Sequence, residues 1–220
     1  MPRIKKYKIS KSKINNSNFF LLNSLLNKNY ISKRFLGNLS DNYKKVENNL
    51  LKNIPKFNMI ITTGGASVGD EDHLVKALEN NGKIFFWRAA IKPGRPIAVG
   101  KIQNTYIVCL PGNPVSVQLL YAFIVKPLIL KLLGAPLKKI SAEKLKTNFS
   151  MIKKTKRLEW LRVSKKFINN EYVIVKHPKQ GSGMISSISY SDGIVEIPEH
   201  VSSIKKGDTF DYYDFDKLFN

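Results

Sequence analysis

A short apolar run, Met59-Ile-Ile-Thr-Thr63, stops on Gly64-Gly65 and gives way to a segment of helical spacing that starts at Asp72 and runs to Asn81. A β-branched run bounded by glycine reads as a buried strand. Gly64, Gly65 and Gly69 permit backbone angles that a Cβ resists. Strand, glycine turn and helix N-terminus together make an anion site, because free backbone N–H groups and the helix dipole point at one spot. The carboxylates of Asp70, Glu71 and Asp72 stand where a divalent cation could bridge to phosphate. The same residues also suit a tight connection with acidic helix capping.

The rest of the chain is arranged around that turn. Residues 1–13 are basic, with Ile4, Tyr7 and Ile9 able to form an edge strand. Phe19 to Leu26 reads as a helix capped by Ser17 or Asn18, and Tyr30 to Leu39 as a region with a short strand. Ser40-Asp41 can cap a helix from Tyr43 to Asn53 whose Val46, Leu50 and Leu51 form one apolar face. Gly82 is a stop signal for the helix after the glycine turn. Lys83 to Ile91 reads as a strand, broken by Lys92-Pro-Gly-Arg-Pro96. Ile97 to Lys101 and Thr105 to Leu110 form a strand pair about a turn. Pro111-Gly-Asn-Pro114 then leads into an apolar helix, Val115 to Leu133, which Pro127 should kink or divide.

Strands alternating with helices predict a three-layer α/β fold with a mostly parallel sheet over residues 1–137, ligands sitting at the carboxyl ends of the strands. From residue 138 the runs become short and β-rich, at Arg157–Val163, Tyr172–Val175, Gly193–Pro198 and Thr209–Tyr213. They predict a small all-β barrel domain over 138–220.

Lys92 and Arg95 present two cations from a stiff loop, a grip for a tetrahedral or polyphosphate oxyanion, or simply a solvated proline turn. Pro111-Gly-Asn-Pro114 repeats the anion-site logic with Asn113 as a cap, or is only a sharp strand-to-helix turn. His73, His177 and His200 lack metal-ligand spacing. No hydrolase elbow or Cys/His nucleophile pattern is present. These residues specify a binder of a phosphorylated, anionic ligand without specifying a reaction.

Composition narrows the partners. The 37 Lys and Arg outnumber 16 acids, a formal net charge of +21. Lys and Asn are spread throughout and form no arginine-rich stripe with interleaved aromatics, so no nucleic-acid partner is expected. A basic surface still steers an anionic substrate. Cys109, the single cysteine, lies in an apolar run and reads as core. No apolar run approaches the roughly 20 residues of a membrane span, and no signal segment opens the chain, so a cytoplasmic protein without a membrane partner is expected.

The ordered set Asn15-Asn-Ser-Asn18, Asp41, Thr63-Gly-Gly-Ala-Ser-Val-Gly-Asp-Glu-Asp72, Lys92-Pro-Gly-Arg-Pro96 and Leu110-Pro-Gly-Asn-Pro-Val-Ser116 resembles the molybdopterin molybdenumtransferase family, which includes the gephyrin E domain. Gln180-Gly-Ser-Gly183 and Ile197-Pro-Glu199 extend the match. The resemblance implies insertion of molybdate into adenylylated molybdopterin with magnesium- or zinc-dependent loss of AMP. It implies Asp72 and Asp41 as catalytic acids and metal ligands, and Lys92 and Arg95 as catalytic cations, Arg95 replacing the more usual lysine. It places Gly64, Gly65, Ser67, Gly69, Pro111, Asn113, Pro114, Ser116, Arg157 and Ser182 around the substrates.

The match covers only the C-terminal half of the family's architecture. The usual first strand with its Thr-Gly-Asp-Glu turn and two preceding domains are expected to be missing, and Asp192 stands where an asparagine is common. A homodimer, or association with those N-terminal domains, is implied. The alternative is a non-catalytic pterin- or nucleotide-binding module. A relative acting on nicotinamide nucleotides is a third reading, against which the Lys92–Pro96 turn and the β domain argue.

Overall fold

The computed structural model describes residues 16–64, 72–136, 138–154 and 156–220. The expected strand near Ile4 and the stretch holding Gly65, Ser67, Gly69, Asp70 and Glu71 lie outside the described residues.

The first part contains α1 (Ser17–Leu25), α2 (Tyr43–Asn53), β1 (Met59–Thr63), α3 (His73–Asn81), β2 (Lys83–Trp87), β3 (Ile91–Lys92), β4 (Ala98–Ile102), β5 (Thr105–Leu110) and α4 (Pro114–Leu132). The first sheet runs β1-β5-β4-β2. Only β1 and β5 pair in parallel; β4 is antiparallel to both β5 and β2. Among the described residues the sheet is therefore mixed, where a mostly parallel one was expected. The cause is local: Gln103-Asn104 is all that joins β4 to β5, and a two-residue link folds back as a hairpin instead of crossing over. Gln103 adopts the left-handed φ of 52° that such a turn uses.

Strand alternation sends side chains to opposite faces. Val99, Val108 and Leu110 pack with Leu22 of α1 and with Val117, Leu120 and Val125 of α4. Ala98, Ile107 and Cys109 pack with Val46 and Leu50 of α2 and Leu74, Val75 and Leu78 of α3. On α2 the apolar face is Val46, Leu50 and the following Ile54, while Leu51 is 37% exposed. Spacing by four explains it, since i, i+4 and i+8 share a face and i+5 does not.

Several helix ends differ from expectation. Asn16, not Ser17 or Asn18, caps α1, its Oδ1 accepting from the Phe19 amide at 3.0 Å. Asn42, not Ser40 or Asp41, caps α2 through the Lys45 amide at 3.1 Å. Each shift leaves the neighbouring Asn18 or Asp41 side chain for longer-range contacts. Gly82 ends α3 in extended backbone, with φ −156°. Its lack of a side chain serves close approach, because a Cβ there would press on the Lys101 carbonyl and the Ile102 side chain. Residues 30–39 form no strand, and β2 stops at Trp87 because Arg88 turns left-handed at φ 65°.

The helix α4 is 19 residues with mean hydropathy 1.7, so it is long and apolar enough to cross a membrane by length and composition, contrary to expectation. Lys126-Pro127 interrupts the apolar run in sequence without ending the helix. A wide π turn over Tyr121–Val125 absorbs the proline's missing donor. The helix buries Val117, Leu119, Leu120, Tyr121, Ala122 and Val125 in the core.

The second part contains β6 (Glu143–Thr147), β7 (Met151–Ile152), β8 (Leu158–Ile168), β9 (Glu171–Lys176), β10 (Gly193–Ile197), β11 (Ser203–Ile204) and β12 (Thr209–Asp214). Pairing runs β10-β12-β6-β9-β8 and returns from β8 to β10, closing the expected barrel around Leu161, Val163, Ile174, Val195 and Tyr212. Its first strand, β6, was not anticipated: Glu143-Lys-Leu-Lys-Thr147 carries too few apolar residues to signal one. Asn169 and Asn170, at φ 50° and 63°, make the tight turn between β8 and β9.

Closure depends on Gly193, where a Cβ would meet the Tyr213 carbonyl and lie 2.6 Å from the Tyr212 ring. Gly193→Ala is expected to destabilise the chain by about 2 kcal/mol through overpacking. A urea midpoint equal to that of the wild type would show that closure does not depend on this contact.

The two parts meet along α4. Trp160 of β8 stacks on Phe123 with centroids 4.5 Å apart at 14°, and Tyr213 meets the same ring edge-on at 5.3 Å. The strand β3 leaves the first sheet and pairs with β8, placing Lys92 opposite Glu159.

Candidate functional site

The carboxyl ends of β1 and β5 bring two turns together. Gly64, at φ 78°, donates its amide to the Leu110 carbonyl at 3.0 Å. A Cβ on Gly112 would lie 3.6 Å from the Gly64 Cα, so the backbones pass with little between them. Asn18 closes the group from α1, donating Nδ2 to the Gly112 carbonyl at 2.8 Å. Asn113 caps α4 by accepting from the Val115 amide at 3.2 Å, Pro114 occupies the first helical turn, and Pro111 and Ser116 are buried. From the barrel arrives the Gly181-Ser182-Gly183 turn, in which a Cβ on Gly183 would sit 3.8 Å from Asn113 Nδ2. Gly64, Asn113, Pro114 and Ser182 therefore belong to one locality.

Arg162 supports that turn from behind. Its side chain is buried, and it donates to Ser187 Oγ at 3.1 Å, the Trp160 carbonyl at 3.2 Å and the Gly181 carbonyl at 3.3 Å. Burial brings the guanidinium down to about 10. Gln180 fastens the same segment, donating to the Arg162 and His177 carbonyls at 2.8 Å each.

Asp72 begins α3 as its cap, Oδ1 accepting from the Val75 amide at 3.2 Å. The residue is 8% exposed, and among the described residues Oδ2 has no hydrogen-bond partner. Burial raises its pKa above the ordinary carboxylate value, opposed by the Val75 and Leu74 amides and the charges of His73 and Arg88. Asp41 is 89% exposed at its side chain and sits 3.4 Å from Nε2 of His73, the residue that follows Asp72. Cys109 lies beneath, opposite Thr62 in the β1–β5 register. Burial, and secondarily the Asp72 charge, push its thiol up to about 12. It should therefore stay unreactive toward a disulfide reagent in the native chain and titrate fully in denaturant; native labelling would show that this core opens.

The cations occupy the seam with the barrel. Lys92 Nζ lies 3.3 and 3.4 Å from the two carboxylate oxygens of Glu159. Arg95 is exposed, and its carbonyl accepts from the Ala89 and Ile97 amides to hold the loop. Arg157 is half-buried, and its carbonyl accepts from Lys153 Nζ at 3.0 Å. Leu158 donates its amide to the Ala90 carbonyl at 3.0 Å, running this segment beside the Lys92 loop. A cavity of about 590 Å³ elsewhere on the barrel, lined by Lys165, Asp192, Tyr212 and Asp214 among others, includes none of the candidate residues.

A family model described as "probable molybdopterin binding domain" matches residues 7–131, more than half of the chain. The chain belongs to that family. A second model, the MoeA C-terminal region (domain IV), matches residues 144–215 and so covers the barrel of this molybdopterin-binding family member. The chain is 39% identical over 126 residues to the molybdopterin molybdenumtransferase of Haemophilus influenzae, spanning 57% of this chain and 31% of that protein. It is 29% identical over 180 residues to the molybdenum cofactor synthesis protein cinnamon of Drosophila melanogaster, spanning 78% and 30%. The molybdopterin biosynthesis MoeA protein of Pyrococcus horikoshii has a similar structure, with TM-score 0.77 and 25% identity over 97% of this chain and 51% of that one. The chain thus spans less than half the length of the curated relatives it matches.

In this family member the donor set bears on the implied metal. A buried carboxylate oxygen on Asp72 with no partner among the described residues suits a hard cation, which completes its shell with phosphate oxygens and water. Among the described residues no group of three His, Cys, Asp or Glu could hold a metal ion. Arg88, Glu159, Arg162 and Lys153 were not anticipated as site neighbours. Arg88 follows a strand and has no motif around it; the other three act through burial, which spacing does not reveal.

Proposed function

We propose that the chain forms one wall of a molybdopterin and molybdate site and takes part in inserting molybdate into adenylylated molybdopterin with release of AMP. The observation that carries the proposal is the convergence at the sheet's carboxyl end. There, the Gly64 and Gly112 turns, the Asn113 cap and the Ser182 turn meet, with Asp72 buried at the start of α3. In this reading the backbone of the two turns receives the pterin and its phosphate, the Lys92 and Arg95 cations hold oxyanion oxygens, and Arg157 and Ser182 reach them from the barrel. Asp72 and Asp41 would hold a magnesium ion, which supplies charge neutralisation at the departing phosphate. A second copy, or the remaining half of the family's architecture, would form the opposite wall.

Complementation of a strain deficient in molybdate insertion tests the proposal, with this chain expressed alone and beside an N-terminal half from a relative. Growth on a molybdoenzyme-dependent medium is expected in the second case. Failure in both cases would sink catalysis, and calorimetric binding of adenylylated molybdopterin without AMP release would then favour a non-catalytic pterin-binding module.

A further inference from the structure

We propose that Glu159 is the positioning residue for the Lys92 ammonium, which rests on reading Lys92 as an oxyanion donor. A lysine is a point charge on a flexible four-carbon stem, and fixing that stem costs up to about 2 kcal/mol of rotamer freedom. Lys92 is fixed at both ends. Its backbone is held by the β3–β8 pairing and by Gly94, where a Cβ would lie 3.2 Å from the Leu120 side chain. Its ammonium rests on Glu159, whose carboxylate is 2% exposed while the lysine side chain is 44% exposed. A carboxylate so deeply buried is strongly destabilising without a cation, so the pair is held in one geometry. The ammonium carries three donors and faces outward from its partner.

A second lysine balances the carboxylate. Lys153 is buried, donating to the carbonyls of Arg157, Pro198 and Glu199, and the carboxylates of Glu159 and Glu199 both act on its charge.

Acetylation of each lysine in the purified chain, followed by mass spectrometry with and without molybdate, tests this. In Glu159→Gln the acetylation rate of Lys92 should rise by about threefold or more as the charge-assisted bond is lost, while Lys76 and Lys101 keep their rates. Glu159→Asp, which keeps the charge on a shorter arm, should fall between. Unchanged Lys92 rates in both variants overturn the proposal. If Glu159→Gln does not fold, an unchanged rate in Glu159→Asp overturns it equally. Molybdate should protect Lys92 in the wild type. A faster Lys92 in Glu159→Gln without such protection would sustain the positioning role and overturn the oxyanion reading instead.

Discussion

Replacing Asp72 with asparagine should lower molybdate insertion by about 100-fold or more while leaving the chain folded and no less stable than the wild type. The loss follows from the chemistry proposed for Oδ2, a hard anionic oxygen that an amide cannot replace at a magnesium ion. The stability follows from the cap. Asparagine accepts from the third helical amide as well as aspartate does, so the Val75 bond survives. Burial raises the Asp72 pKa, so the folded state binds its proton more tightly than the unfolded one. Stability therefore falls as pH rises through that raised value, and at neutral pH the ionised carboxylate costs stability that asparagine does not. The advantage of the variant should shrink on acidification and vanish below the unfolded value near 3.8. Thermal melts of both proteins from neutral to acid pH, beside the complementation assay, check both parts. Full activity in Asp72→Asn would remove the metal role, and a variant melting well below wild type at neutral pH would remove the electrostatic account.

Trp160→Ala should destabilise the chain by about 3–5 kcal/mol, a large share of the stability of any domain of this size. The indole is 5% exposed, stacks on Phe123 of α4 and donates Nε1 to Glu196 Oε2 at 2.9 Å. Truncation opens a void where barrel and α/β layers share one core and leaves Glu196 without that donor. Trp160→Phe keeps the stacked ring and loses the N–H, so it should cost only about 1 kcal/mol. Urea unfolding followed by far-ultraviolet circular dichroism measures both. Equal midpoints for wild type and Trp160→Ala would mean that the seam contributes nothing to folding.

Much of the architecture was legible because it rests on local chemistry. The β-branched runs at Met59–Thr63 and Thr105–Leu110 became β1 and β5 with those bounds, and Asn113 caps its helix as its place before Pro114 implies. The barrel was legible from its short β-rich runs. Where expectation failed, several groups competed for one role. Asn16, Ser17 and Asn18 are all competent caps, and the choice fell to the one that left Asn18 within reach of Gly112, distant in sequence. For the site, the motifs marked Asp72, Lys92 and Asn113 but not their supports. Glu159 reads as an ordinary charge in a strand, and it is buried where β8 pairs with β3 on one side and β10 on the other.

The β3–β8 register has a consequence for how such chains can be recombined. The segment from Ala89 to Lys92 lies within the stretch that encodes the first sheet, yet its hydrogen bonds at Ala90 and across β3 belong to the barrel. A chimera joined near residue 137 would inherit Lys92 from one parent and Glu159 from the other. Grafting the barrel faithfully means carrying this short upstream piece with it, or matching the two residues by hand.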